Sequence, residues 1–322
     1  MKQVDVSIVI VNWNTRDILQ NCLQSVYKHA GDVNFDVIVI DNASIDGSAE
    51  MVKKNFPTVT LIENSQNRGF ASANNQGISI AKGHYVLLLN SDTLLLDQAI
   101  AKVVSFANDN PDAAVAGCRV LNPNRTLQPT CFMFPSLLNM LLSSSYLYKL
   151  FPKSKFFGRE MMTWWLRNDA REVDVVTGCF MLIGRKAIEQ VGLMDEEFFM
   201  YGEETDWCYR FKQAGWKILF TPCAEIIHLH GASTNQIKPL MVMQLRGSIL
   251  LFLKKHRGHF IYALACLLIA IFFILRVPYW LGKAILSKYD RNNHLQTARA
   301  YVIGAFRALM GGRGLRTVRQ SR

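Results

Sequence analysis

Short apolar runs punctuate the first hundred residues, and polar residues close most of them. SIVIVNWN (Ser7–Asn14), VIVIDNAS (Val37–Ser44), Val59–Glu63 and Val86–Leu89 have this form. Continuous rather than alternating apolar residues predict strands covered on both faces, as in a parallel sheet. Between the runs the pattern switches to helical spacing. Ile18, Leu19, Cys22, Leu23 and Val26 fall on one face of a helix that Thr15 can cap. Asp46-Gly47-Ser48 is turn chemistry ahead of a short second helix, and Asn67–Ile78 is a Gly- and Asn-rich lead into a third. Ile100, Val103, Val104 and Ala107 mark a fourth, stopped near Pro111. This alternation predicts an α/β fold, a mostly parallel sheet with helices on both faces. Farther on, Val173–Ile183 reads as a strand broken at Thr177-Gly178, Asp195–Gly215 as an acidic run on a helix start, and Ile226–Ser233 as a last strand. Beyond Pro239 the pattern turns to long helices, with no internal repeat or low-complexity run anywhere.

Charge divides the chain at a similar point. The 322 residues carry a net +11, but the segment from Arg246 onward holds fourteen Lys or Arg and one acid (Asp290), a balance of +13 that leaves residues 1–245 at −2. A basic tail calls for an anionic partner, nucleic acid or lipid headgroups. Phe260–Leu275 is a 16-residue run without charge, flanked by Lys254, Lys255 and Arg257 before it and by Arg276 and Pro278 after it. A span takes roughly 20 apolar residues, range about 17–25, and basic flanks on both sides suit a helix lying in the membrane interface. Leu295–Met310, with Arg299 and Arg307 among apolar residues, has the same character. The expectation is therefore a catalytic domain over 1–239 and a membrane-association region over 240–322, held on anionic lipid at the cytoplasmic face, with no nucleic-acid partner. Within the first domain, residues 132–166 are rich in Phe, Leu, Met, Tyr and Trp, and suit core packing, an acceptor-side flap or a lipid-touching insert. The seven cysteines form no C-x-x-C pair and no metal spacing, which predicts reduced core residues. The N-terminus enters a strand pattern at once, so no cleaved signal is expected.

The candidate chemistry sits where strands end. In open α/β sheets, ligands bind at the carboxyl edge. VLLLNSDT (Val86–Thr93) delivers Asn90, Ser91 and Asp92 there, and VIVIDNAS delivers Asp41. Each Asp suits either a turn cap or a ligand role: Asp92 toward a divalent cation, Asp41 toward the imide of a pyrimidine ring. NRGFASANNQGI (Asn67–Ile78) lacks the G-x-G-x-x-G order of a dinucleotide site. Its small residues permit either close backbone approach to a phosphate, with Arg68 as a cation, or helix packing on the sheet. Glu203, Glu204 and Asp206 crowd one helix start, more acid than a cap needs, and Asp206 can pair with Arg210 four residues on. One of the three can serve as a general base. His228 and His230 share a strand face, as packing residues or as metal ligands.

Taken in order, VSIVIVNWN, VIVIDNAS, NRGFASANNQGI, LLLNSDT, VTGCFMLIGRKAI, GLMDEEFFMYGEETDWCYRFKQAGW and HLHGAS resemble a family 2 glycosyltransferase of GT-A fold, over about residues 4–235. The likeness is greatest to the rhamnosyltransferase-like branch that builds bacterial surface polysaccharides such as O-antigen. The resemblance implies that Asp92 is the metal-binding Asp of a D-x-D-type motif, with Asn90 standing where the first acid would be. It implies that Glu204 is the base, with Glu203 and Asp206 as rivals, and that His228 is the metal-proximal His, spaced as H-x-x-G-x-S with Gly231 and Ser233. Residues expected at the nucleotide-sugar are Asn12, Asn14, Asp41, Asn67, Arg68, Gly69, Asn75, Asn90, Ser91 and Gly178. The implied reaction is inverting transfer of one sugar, rhamnose from its deoxythymidine diphosphate donor by preference, with Mg or Mn as cofactor. The implied acceptor is a polyprenyl-diphosphate-linked saccharide. The absence of Q-x-x-R-W after the acidic motif points away from a processive synthase. A sugar nucleotidyltransferase, a tail-driven binding protein and a transferase disabled by Asn90 are the rival readings.

Overall fold

A computed structural model describes residues 4–229, 238–287 and 290–316. In chain order the elements are β1 (Val6–Asn12), α1 (Arg16–His29), β2 (Phe35–Asp41), α2 (Ser48–Asn55), β3 (Thr60–Glu63), α3 (Phe70–Ile80), β4 (Tyr85–Asn90), β5 (Thr93–Leu95) and α4 (Ala99–Asn108). There follow β6 (Ala113–Leu121), β7 (Leu127–Gln128), β8 (Cys131–Phe132), α5 (Leu137–Ser145), α6 (Leu147–Leu150), β9 (Arg171–Glu172), β10 (Val175–Val176) and β11 (Phe180–Gly184). The last are α7 (Arg185–Val191), α8 (Glu203–Gln213), β12 (Lys217–His228), α9 (Lys238–His256), α10 (Gly258–Ile274), α11 (Val277–Leu286) and α12 (Arg291–Leu309).

The main sheet runs β3-β2-β1-β4-β11-β6-β12-β5, with β7 beside β6 and β9 beside β12. Pairing is parallel through β3, β2, β1 and β4 and between β6 and β12, while β11 is antiparallel to both its neighbours. Thr177-Gly178 does break the strand: β10 leaves to pair with β8, and β11 enters the sheet. The final strand departs from expectation. It begins at Lys217, not near Ile226, and ends at His228, with His230, Gly231 and Ser233 outside the described residues.

Side-chain alternation along β1 sends Ile8 and Ile10 into one core layer and Val9 into the other. The first layer takes Leu19, Cys22 and Leu23 of α1, Met51 and Val52 of α2, and Ile100 and Val103 of α4. The second takes Ala71 and Ile78 of α3, Ile188 of α7, and Trp207 and Phe211 of α8. Gly77 lets α3 lie close on the sheet, because a Cβ there would stand 2.5 Å from Val9 Cγ1 and 2.9 Å from Ile40 Cδ1. Gly77→Ala should therefore overpack the layer and lower stability by about 1–3 kcal/mol, read as a fall in the denaturant midpoint at unchanged m.

Contacts group the chain into two compact units. One comprises Met1–Phe134, Met161–Phe198 and Glu203–Ser233, and the other Pro135–Glu160, Phe199–Gly202 and Thr234–Arg322. Most of the segment expected as an insert of the catalytic domain thus groups with the C-terminal helices. In that second unit α10 and α11 both pack on α12, and Gly304 of α12 gives room for the Phe273 ring of α10. Gly258–Leu286 forms one 29-residue helical stretch long and apolar enough to cross a membrane. Pro278 opens its second half, where a missing N–H costs nothing. Leu275, Ile285, Leu286, Phe306 and Met310 lie exposed on these helices.

Candidate active site

Three parallel strands end level with one another: Asn12 of β1 is in register with Asp41 of β2, and Val11 with Asn90 of β4. The polar residues that close these runs therefore meet at one edge. Asp41 is 4 % exposed and held from two sides. Asn12 Nδ2 donates to its Oδ1 (3.2 Å), and the Ser44 backbone N–H donates to its Oδ2 (2.9 Å). Thr15 heads α1, but its hydroxyl makes no cap. It donates instead to Asn12 Oδ1 (2.6 Å) and lies 3.2 Å from the Ser91 hydroxyl. A hydrogen-bonded chain thus links Asp41, Asn12, Thr15 and Ser91 across three strands.

Asn42, not singled out as a site residue from the sequence, clasps the glycine loop to this edge. Its Oδ1 accepts from the Arg68 backbone N–H (3.0 Å), and its Nδ2 donates to Asn67 Oδ1 (2.9 Å) and the Gly69 carbonyl (3.3 Å). Gly69 has φ +81°, a backbone state that disfavours a side chain, and it turns the loop into α3. The Arg68 side chain is exposed. Gly178 packs its open face toward the Phe70 ring.

The Asp92 turn is fixed by Thr93, whose hydroxyl donates to the Asn90 carbonyl (2.6 Å). Thr93 opens β5, which pairs antiparallel with the end of β12 and sets His228 opposite it. His228 Nε2 lies 3.0 Å from Asp92 Oδ1 and 3.2 Å from Asn90 Nδ2, while Nδ1 lies 2.6 Å from Gln128 Oε1. The Gln128 orientation follows from its other contacts: its Nε2 donates to Asn122 Oδ1 (2.9 Å) and the His228 carbonyl (3.3 Å), neither of which can donate. Gln128 therefore accepts the Nδ1 proton. Nε2 then faces the Asp92 carboxylate with the Asn90 amide beside it, a nitrogen and an oxygen side by side at the sheet edge.

This geometry fits a divalent ion. Adjacent ligands of an octahedral ion with bonds of about 2.1 Å lie about 3.0 Å apart, the observed Asp92–His228 separation. Among the described residues no three His, Cys, Asp or Glu side chains are placed to hold a metal ion by themselves. Asp92 and His228 would thus hold an ion only in part, leaving positions for substrate oxygens, the usual habit of Mg-type sites.

The three acids of α8 separate in role. Asp206, with its side chain 2 % exposed, accepts from Arg210 Nε (2.7 Å), and the same guanidinium donates to the carbonyls of Val191 (3.3 Å) and Leu193 (2.9 Å). Asp206 is committed to this structural pair, which corrects its reading as a rival base. Glu203 is buried, and Glu204 is half-buried. Cys179 precedes β11 at this edge. Burial pushes its thiol up to about 12, the carboxylates of Asp92 and Glu204 both add to the rise, and its carbonyl accepts from Asn90 N–H (3.1 Å).

Two more of the expected residues are hydrogen-bonded within the fold. Asn75 donates to the Met194 carbonyl (2.9 Å) and Glu196 Oε1 (3.1 Å) and accepts from Met194 N–H (3.0 Å). Asn14, at φ +53°, spends its Oδ1 on the Ile45 N–H (2.8 Å) and so shapes the loop. The structure thus gathers Asn12, Asp41, Ser91, Asn90, Asp92 and His228 and adds Gln128, Asn42 and Thr15. Gln128 had no signal of its own, since its role depends on a strand pairing 100 residues away.

An open, mostly parallel sheet with this polar edge has the GT-A fold of glycosyltransferases. The sequence profile described as Glycosyl transferase family 2 matches residues 7–192. The chain belongs to that family and is a glycosyltransferase. It is 26 % identical over 243 residues to the N-acetylglucosaminyl-diphospho-decaprenol L-rhamnosyltransferase of Mycobacterium tuberculosis, covering 71 % of this chain and 77 % of the relative. Among solved structures it resembles a mannosyltransferase from Pyrobaculum calidifontis in complex with GDP-Man and Mn2+ (TM-score 0.57, 15 % identity, 97 % of this chain and 89 % of that one). It also resembles GalNAc-T7 with UDP, GalNAc and Mn2+ (TM-score 0.57, 18 % identity, 78 % and 48 %).

Proposed function

We propose that the protein transfers a single sugar, with inversion, from a nucleoside diphosphate-sugar to a hydroxyl of a lipid-linked saccharide in surface polysaccharide or O-antigen synthesis. The observation that carries this reading is the Asp92–His228 pair, 3.0 Å apart with Nδ1 pinned by Gln128, next to a sheet edge that also holds Asp41. Asp41 would meet the base of the donor, and Asn12 and Ser44 orient it. Asp92 and His228 would hold Mg or Mn against the diphosphate. When bound, such an ion neutralises charge on the leaving diphosphate. Glu204 would take the proton of the acceptor hydroxyl, whose oxygen attacks the anomeric carbon opposite the leaving group. The name of the mycobacterial relative supports rhamnose as the sugar and a polyprenyl diphosphate as the acceptor carrier.

We further assign catalysis to residues 1–239 and membrane association to 240–322, at the cytoplasmic face. The exposed apolar residues of Gly258–Leu286 and the basic balance of the tail support this assignment. Each basic residue near an anionic surface adds roughly 1 kcal/mol. The test is transfer by the full chain in detergent, with Mn2+, a panel of nucleotide-sugars and a polyprenyl-diphosphate N-acetylglucosamine acceptor. A glycolipid product with release of nucleoside diphosphate, greatest with deoxythymidine diphosphate-rhamnose, is expected. Formation of nucleotide-sugar from sugar phosphate and nucleoside triphosphate, without transfer, would mean a nucleotidyltransferase.

Gln128→Ala should weaken metal activation by roughly 10–100-fold, because the imidazole loses the partner that fixes its tautomer. A manganese titration of activity measures this, and excess metal should restore most of the rate.

A further inference from the structure

The helical unit holds a cluster of cations that its own acids do not balance. Arg246 of α9 makes no hydrogen bond among the described residues, and its Nε is shut off from solvent. Its guanidinium lies over the Phe272 ring, 4.1 Å from the centroid. Arg276, between α10 and α11, lies over the same ring at 3.6 Å and over Tyr146 at 5.1 Å. Lys149 reaches the Tyr146 ring from the surface, 4.9 Å from its centroid. Glu160 faces Arg246 and leaves its Oε2 without a hydrogen-bond partner. Burial raises the pKa of Glu160 and lowers that of Arg246, so the cluster resists its own charge from both sides. Among the described residues, two of the ten N–H donors on the two arginines are used, by Arg276 toward the carbonyls of Phe272 (2.9 Å) and Ser144 (2.7 Å).

A half-buried guanidinium with no hydrogen-bond acceptor is costly, and an incoming anion that accepts its hydrogen bonds offsets that cost. Two guanidiniums sharing one ring, with a lysine at the rim, match an anion carrying two linked charged groups. Apolar residues flank the cluster on both sides: Leu150 and Phe151 follow Lys149, while Ile274 and Leu275 precede Arg276, all exposed. An amphiphile with a charged head and an apolar tail can satisfy both. We propose that Arg246, Arg276 and Lys149 form a subsite for the diphosphate of a polyisoprenyl-diphosphate acceptor. The subsite rests on the lipid-linked reading above and names the residues that would recognise the lipid.

The test uses the full chain in neutral detergent, titrated with farnesyl diphosphate, with inorganic diphosphate and with phosphatidylglycerol, while nucleotide-sugar binding is measured on the same samples. Saturable binding of farnesyl diphosphate is expected, with weaker binding of inorganic diphosphate. Arg246→Met should weaken farnesyl diphosphate roughly tenfold, the loss of one charge-assisted contact, and leave nucleotide-sugar affinity unchanged. Lys149→Glu, on the exposed rim where folding is not at stake, should weaken it as well. Native affinity in Lys149→Glu together with native affinity in a folded Arg246→Met overturns the proposal. So does failure of the native protein to bind farnesyl diphosphate, or equal competition by phosphatidylglycerol, which marks a general anionic-lipid surface. Nucleotide-sugar binding and transfer that persist in those cases leave the glycosyl-transfer reading standing, and their absence removes it.

Discussion

Glu204→Gln should leave a folded protein that binds its nucleotide-sugar normally and turns over roughly 10²–10⁴ times more slowly, the usual contribution of a positioned general base. The substitution keeps shape and hydrogen-bonding capacity but cannot take a proton. Glu204 is the target because it is half-buried in the first turn of α8, while its neighbour Glu203 is buried. The neighbouring acid provides the contrast. Asp206→Asn breaks a buried pair with Arg210 and should cost stability, about 1.5–3 kcal/mol, with a much smaller effect on turnover. Steady-state kinetics and chemical denaturation on both variants separate the roles. A Glu204→Gln enzyme with native kcat would move the base elsewhere on α8, to Glu203 first.

Asp92→Ala should reduce activity by about 10³-fold or more, since several kcal/mol of charge stabilisation on the leaving diphosphate depend on the ion it helps to hold. His228 would remain, aligned by Gln128 but without the carboxylate 3.0 Å away. The residual rate should rise with added Mn2+ while the wild type stays saturated, and direct manganese titration should record the weakened affinity. This experiment also bears on Asn90. An amide in place of the first acid reduces the charge of the site by one, so Asn90→Asp should tighten the ion in the wild-type background. An Asp92→Ala enzyme with unaltered metal dependence would contradict the assignment.

Much of the fold was readable along the chain. β1, β2 and β4 were foreseen within two residues at most ends, because strands covered on both faces are continuous apolar runs that stop at polar residues. The face of α1 was foreseen because Leu19, Cys22, Leu23 and Val26 recur at helical spacing, and all four are buried. β6, built partly of Ala and Gly, and the first half of β12 went unread. Small residues give little hydrophobic contrast, and β12 owes its length to pairing with β6 rather than to its own pattern. Thr15 shows the same limit at one residue. Its position before α1 predicts a cap, yet its hydroxyl turns to Asn12 because that buried amide needs a donor.

Local chemistry by itself determined which residue types could act: acids at strand ends, acids at a helix start, a histidine on a strand, and a basic apolar tail. Only the tertiary structure decided which of them share a site. Asp206 and Asn75 have the same chemistry as the residues kept, but each is taken up by a partner supplied by the fold, Arg210 in one case and the backbone of Met194 in the other. Gln128 carries no signal at all until the pairing of β6 with β7 and with β12 brings it against His228. Side-chain chemistry is a property of the residue, but availability depends on what the rest of the chain has already bonded, and that is known only once distant segments meet.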